Sequence, residues 1–307
     1  MAVAFVTHAH CRLHDMGPGH PERPARLGAI EDELHVRGLY DLLLHRDAPR
    51  AGVEHLVRVH PLHYIESLAD RSPAEGLVRV DPDTWMCPDT FEAALRAAGA
   101  NVLATDLVLG GVAARAFCNV RPPGHHAERA TTMGFCFFNN VAVAARHALD
   151  HHGLERVAVL DFDVHLGNGT EDIFREDERV LLCSSYQHPL WPDLDPPSVP
   201  GRIINCPLPP GSGSEAFRRV VTEQWMPALE GFMPQLVLVS AGFDAHAADD
   251  MAQLRLNAAD YGWVTDVACE AASRHAGGRV VSTLEGGYEL PALAAGAATH
   301  IERLMLA

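Results

Sequence analysis

The sequence predicts an α/β protein: an open, mostly parallel β-sheet with helices on both faces, formed by a single domain over residues 1–307. Three observations lead there. Short apolar, β-branched runs alternate with longer Ala- and Leu-rich segments, the pattern of βαβ units whose strands are buried on both sides. Polar clusters rich in Gly and Pro follow those runs at 121–135, 163–170, 186–201, 242–251 and 285–289, where loops at the carboxyl ends of strands belong. Finally, 307 residues of 48% hydrophobic content can bury one large core, and no repeat, low-complexity tract or shift in composition marks a boundary.

The apolar run at 2–7 predicts the first strand, and 25–37 the first helix. A helix over 90–110 follows, in which Leu95, Ala98, Val102 and Leu109 form a stripe that core packing explains. The strand at 116–120 leads through an aromatic patch, Met133 to Asn140, into an Ala-rich helix at 136–152. Strands at 156–162, 179–184 and 202–206 precede a helix at 214–230. The chain then alternates strand 235–241, helix 257–276, strand 278–284 and helix 290–305.

The chemistry sits at the strand ends. In Val157 to Thr170 an apolar run closes on Asp161, Asp163 and His165. Side chains two residues apart on an extended chain share a face, so this spacing delivers metal-ligating groups to one point. Asp244, closing the run from Leu236, supplies a third. The competing reading of 161–170 is an Asp-rich turn into a helix capped by Asn168 or Thr170. Arg121-Pro122-Pro123-Gly124-His125-His126 holds two imidazoles on a stiffened turn, suited to acid–base work beside a metal, or else displays two surface histidines in a chain of nineteen. Glu285-Gly286-Gly287-Tyr288 offers a phenol on a mobile turn that can stabilise an oxyanion; a tyrosine there also serves simply as a turn residue.

Composition excludes several classes. A formal net charge of -16 argues against nucleic acid as a partner. No apolar run approaches membrane-spanning length, so no membrane partner is expected. Seven scattered cysteines without a Cys-x-x-Cys pair argue against both a disulfide framework and a thiolate zinc site, and point to a cytoplasmic protein. His8, His10, His14 and His20 fit no common ligand template. Asp249 and Asp250 are expected in a solvated loop.

Taken in order, Arg121 to Ala127, Gly134 to Asn140, Asp161 to Thr170, Ser240 to Asp244 and Glu285 to Tyr288 closely resemble the zinc-dependent histone deacetylase family, above all its class II and bacterial members, which are related to the acetylpolyamine amidohydrolases. Gly17 to Leu27 matches as well, so the resemblance covers nearly the whole chain. It implies the arginase/deacetylase form of the fold and a metal-dependent deacetylase. It further implies Zn²⁺ held by Asp163, His165 and Asp244 with one position open to water and substrate. Two carboxylates and one imidazole make a hard donor set to which Fe²⁺ or Co²⁺ is also suited. By the same resemblance Asp161 bonds His125 and helps Ser184 hold a structural K⁺, His126 is the general base with Asn168 as its partner, and Tyr288 holds the oxyanion. Phe135 and Trp191 flank the acyl channel, the Gly134 carbonyl faces the substrate nitrogen, and Arg26 lies near the product exit. Two positions depart from the family: Leu190 to Asp195 lacks the usual Gly after the aromatic residue, and Leu166 stands where relatives commonly have a second histidine.

The implied activity is removal of acetyl or another short acyl group from lysine side chains or related amines. The substrate is then an acylated lysine peptide or protein, an acetylpolyamine or a small acylated amine. The short segment between Glu75 and Asp83 favours an open mouth and a lysine-type substrate. A binuclear manganese hydrolase of the arginase type needs a further Asp beside Asp244, where Ala245 and His246 stand instead. A catalytically silent protein that binds acyl-lysine or polyamines has no need of His125, His126, Tyr288 and three ligands together.

Overall fold

The structure, a computed structural model, describes residues 2–307. Its frame is an eight-stranded sheet in the order β2-β1-β5-β10-β9-β6-β7-β8. These are β1 (Val3–Thr7), β2 (Leu44–Asp47), β5 (Arg115–Cys118), β6 (Val157–Asp161), β7 (Val180–Gln187), β8 (Ile203–Leu208), β9 (Leu236–Ala241) and β10 (Val280–Leu284). Every neighbouring pair runs parallel. All residues of β5, β6, β7, β9 and β10 are buried, so helices cover both faces of the sheet, as the unbroken apolar runs require. The helices are α1 (Ala25–Val36), α2 (Val53–Leu56), α3 (Leu62–Arg71), α4 (Thr90–Leu109), α5 (Asn140–Asp150), α6 (Asn168–Phe174), α7 (Ser214–Val220), α8 (Met226–Phe232), α9 (Ala258–His275) and α10 (Leu290–Leu306). Helix α4 packs on α5, and α10 packs between α1 and α9.

Several expectations move. The strand expected at 116–120 runs over 115–118 and the one at 179–184 extends to Gln187. The helix expected at 136–152 begins only at Asn140, because the Asn139 side chain accepts the amide of Ala142 and caps it there, leaving 136–139 to the preceding loop. The segment 214–230 is three pieces, with a π-helical turn at Val221–Trp225 between α7 and α8. Neither Asn168 nor Thr170 caps α6; Gly167 stands at that position without a side-chain bond.

Elements absent from the sequence reading are β2, the antiparallel hairpin of β3 (Val78–Asp81) and β4 (Thr84–Met86), and the short helices α2 and α3. Strand β2, Leu-His-Arg-Asp, is an edge strand with two exposed residues and carries no alternating pattern. The other edge, β8, accommodates Pro207 because only one of its sides is paired.

Beneath the site lies a buried ion triad in which Glu22 sits between Arg26 and Arg121, all with no exposed surface. Arg121 donates from Nη2 to Glu22 Oε2 at 2.5 Å and from Nη1 to the carbonyls of Cys11 and His14 at 2.9 Å. Burial alone would raise the Glu22 carboxyl, but Arg121 and His14 hold it well below the carboxylate range.

Candidate active site and metal centre

Four adjacent strands, β5, β10, β9 and β6, carry the conspicuous residues on the loops after their carboxyl ends. Residues as far apart in sequence as Gly124 and Glu285, 161 positions, thus meet in one crevice.

Strand β6 stops at Asp161, not 162, and Asp163 and His165 stand on the turn beyond it. Side chains take over the ladder there: Asp161 Oδ1 accepts the amide of Asp163 at 3.1 Å and Asp163 Oδ1 that of His165 at 2.9 Å. From β9, Asp244 Oδ1 accepts the amide of Val164 at 2.9 Å. One ligating atom from each of Asp163, His165 and Asp244 lies within 4.8 Å of the others, and all three residues are buried. His165 Nδ1 is 3.0 Å from Asp163 Oδ1 and 3.3 Å from Asp244 Oδ2. Asp244 Oδ2 receives no hydrogen bond although it is buried. Room for the carboxylates comes from two glycines. A Cβ at Gly286 would lie 2.1 Å from Asp244 Oδ2, and one at Gly242 2.1 Å from Asp163 Oδ2.

The electrostatics draw positive charge inward. Burial together with the Asp163 charge pushes the Asp244 carboxyl up to about 6. Burial would lower His165, yet the two carboxylates raise it to about 10. A buried N/O/O set with one carboxylate oxygen unsatisfied fits a divalent cation, which would answer both the orphaned atom and the surplus negative charge.

The two histidines after β5 are buried, not displayed on the surface. His125 Nδ1 lies 3.0 Å from Asp161 Oδ2 and Nε2 3.7 Å from Asp163 Oδ1; against burial, these carboxylates raise it to about 10. His126 Nδ1 lies 2.8 Å from Asn168 Oδ1. Because Asn168 spends its Nδ2 on Glu128 Oε1 at 2.9 Å, its oxygen faces His126, so Nδ1 carries the proton and Nε2 a lone pair. Burial first, then the neighbouring His125 and His165, hold His126 well below the usual imidazole value.

A cavity of about 150 Å³ opens onto this cluster, lined by His126, His165, Phe135, Gly134, Trp191, Tyr288, Leu190, Met251 and Asp83. Gly134 and Phe135 both adopt left-handed backbone, φ 56° and 68°. A Cβ at Gly134 would stand 2.6 Å from both the His126 ring and Trp191, so only glycine fits. Trp191 meets His126 edge-on at 4.8 Å. Phe135 meets Tyr288 edge-on at 6.0 Å. Burial keeps the Tyr288 phenol well above its ordinary value and therefore protonated.

Arg26 does not line this cavity. Its Nε donates to the Gly287 carbonyl at 2.6 Å and Nη2 to that of Glu285 at 2.5 Å, and its guanidinium lies 4.9 Å from the Tyr288 ring centroid. Ser184 is the register partner of Asp161 on β7, and its buried Oγ has no hydrogen-bond partner. Leu166 is buried and lines a different cavity, beside Glu128 and Asn168.

Two residues escaped the sequence reading. Glu285 Oε2 accepts the amides of Gly124 at 2.7 Å and His125 at 3.1 Å, pinning the histidine turn. Asp249, expected in a solvated loop, is buried and accepts the amides of Tyr288 and Glu289. Only the acidic residue types were legible, since their partners lie 39 or more positions away.

A parallel α/β sheet with a buried N/O/O cluster, a histidine pair and a tyrosine-bearing cavity at its carboxyl edge defines a metal-dependent hydrolase class. Comparison narrows it: residues 20–304 match the family described as Histone deacetylase domain, and this chain belongs to the histone deacetylase family. It is 42% identical to the Histone deacetylase-like amidohydrolase of Pseudomonas aeruginosa, over 88% of this chain and 73% of that one. It is 36% identical to the Polyamine deacetylase HDAC10 of Mus musculus, over 92% of this chain and 45% of that one. The crystal structure of the HDA15 HD domain superposes with a TM-score of 0.91 at 30% identity, covering 99% of this chain and 90% of the other. The fold is the deacetylase form of the arginase-like sheet.

Proposed function

We propose that the chain is a single catalytic domain that hydrolyses the amide of an acylated amine, releasing acetate or another short acid and the free amine of a lysine side chain or related compound. The observation that carries this reading is the meeting of Asp163, His165 and Asp244 with His126 and Tyr288 around one cavity. Asp163, His165 and Asp244 would hold Zn²⁺, with Fe²⁺ or Co²⁺ as substitutes; the bound ion would polarise the acyl carbonyl and acidify a water molecule.

The residues do the rest. His126, neutral with its Nε2 lone pair free, takes the proton from water and returns it to the departing nitrogen. Asn168 keeps that ring in the required tautomer. His125, charged through Asp161 and Asp163, supplies positive potential beside the carbonyl. The Tyr288 hydroxyl, still protonated, donates to the developing oxyanion. Phe135 and Trp191 wall the acyl chain, and the Gly134 carbonyl accepts from the scissile N–H. Arg26 acts by holding the Glu285 to Tyr288 turn from below. Asp161 and the unsatisfied Ser184 hydroxyl are suited to a monovalent cation such as K⁺.

Two substrates remain in view. The apolar wall of Leu190, Trp191 and Met251 favours acyl-lysine in peptides or proteins, while the polyamine deacetylase relative and Asp83 on the cavity wall favour an acylated polyamine. Rates on acetyl-lysine peptides and acetylpolyamines, ranked by kcat/KM before and after chelation and with Zn²⁺ added back, test both. Full metal loading without turnover on any acyl amine sinks the hydrolase reading. Seven free cysteines, all buried, support the cytoplasm as the compartment.

A further inference from the structure

A second group of donors lies away from the catalytic cavity, where α5 ends against α4. His147 on α5, His151 at its C-cap and His152 just beyond offer ligating atoms within 4.8 Å of one another. Two of the rings converge on one carboxylate: His147 Nε2 and His152 Nε2 each lie 2.7 Å from Asp106 Oδ1, on α4. His147 and His151, one helical turn apart, stack with centroids 4.7 Å apart and planes 10° apart, while the His152 ring stands perpendicular to both. We propose that Asp106, His147, His151 and His152 form a second metal site, for a late first-row divalent cation such as Zn²⁺, that ties α5 to α4.

The chemistry favours it on three counts. His147, His151 and His152 offer three imidazole nitrogens, and the Asp106 oxygen bonded to two of them brings the donors to the four of a closed zinc site once the His151 ring turns out of its stack on His147. The two Nε2 atoms already aim at a shared point next to the carboxylate, so the ion replaces their N–H contacts to Asp106 while each ring moves its proton to Nδ1. The C-terminal end of α5, whose His147 carbonyl accepts the amides of both His151 and His152, adds the negative end of the helix dipole. The burial is graded: His147 is 2% exposed overall, while the side chains of His152 and Asp106 are 26% and 45% exposed. An ion can therefore enter from solvent onto one fixed ligand.

One neighbour opposes binding. Arg58 Nη1 lies 3.2 Å from His147 Nδ1, the nitrogen that must carry the proton once Nε2 is bound. Two N–H groups cannot share that contact, so the partly exposed Arg58 must turn away.

The test counts ions. Chelator-stripped protein dialysed against Zn²⁺ is expected to take up two ions per chain, and His151→Ala/His152→Ala only one, with kcat/KM on an acyl-lysine peptide unchanged. Asp163→Asn/Asp244→Asn should keep the α4–α5 ion, its Tm rising with Zn²⁺, and lose that rise when His151 and His152 are also replaced. This arm does not depend on the catalytic reading. Arg58→Met should tighten the second ion about tenfold. The site is overturned if the His151/His152 variant takes up as many ions as the parent, or if the parent's uptake disappears entirely with Asp163 and Asp244.

Discussion

Asp249 holds Tyr288 by its backbone: one carboxylate oxygen accepts the amide of Tyr288 at 2.7 Å and that of Glu289 at 3.1 Å, while the other accepts the amide of Met251. The loop after β9 and the loop after β10 are thereby locked together, with Met251 and Tyr288 on the same cavity. Asp249→Asn presents an amide NH₂ or a weaker acceptor to those donors. It is expected to lower kcat about 10- to 100-fold with KM and bound metal little changed. Elemental analysis beside steady-state kinetics separates this from loss of the metal; a parallel fall in metal content would contradict it.

Tyr288→Phe removes the hydroxyl but keeps the ring against Phe135 and Arg26. A fall in kcat of about 10²- to 10³-fold at unchanged metal content is expected, the loss typical of one oxyanion donor. Wild-type kcat in this variant would remove Tyr288 from the reaction.

His126→Ala should nearly abolish turnover while the metal stays bound. The sign of the pH effect follows from its depressed pKa: a base already neutral at pH 7 loses activity only as pH falls through its lowered value. The acid limb of kcat/KM is therefore expected below about 6.5, the unperturbed imidazole value. An acid limb centred above neutrality would reassign the base.

His60 links stability to pH. Its Nδ1 donates to the Arg129 carbonyl at 3.0 Å and its Nε2 accepts the Asn139 amide at 3.0 Å, so protonation would set two donors against each other. Burial lowers it to about 4. The folded pKa lies below the unfolded one, so the unfolded chain binds more protons between about 6.5 and 4, and stability present above that window is lost as pH falls through it. The full effect is about 3 kcal/mol. His300, pushed down by burial to about 3, acts in the same direction. Urea titrations at pH 7 and pH 5 should show the drop, and His60→Gln should flatten it.

The parallel sheet was legible because its buried strands are unbroken apolar runs, and Asp161, Asp163, His165 and Asp244 because each closes such a run. What resisted reading was anything decided by a distant partner. Glu285 is one residue from a glycine pair and looks like a turn carboxylate until it is seen to hold the amides of Gly124 and His125. Strand β2 has no pattern of its own and pairs only because β1 leaves an edge open. The early end of β6 follows from side-chain bonds of Asp161 and Asp163 that compete with the ladder, which strand propensity does not register. Asp249 sits amid Ala and Asp residues that suggest a surface loop, and its burial depends on a contact 39 positions on.

The place of β10 has a consequence for synthesis. It comes after the other seven strands of the sheet in sequence, yet it lies between β5 and β9 in the middle of the sheet. A nascent chain stopped before residue 280 has β5 and β9 with bare facing edges and neither Glu285 nor Tyr288, so the two halves of the sheet join only once Val280–Leu284 has emerged from the ribosome. Fragments ending short of β10 are expected to be recovered as aggregates or degradation products, never as partly active enzyme.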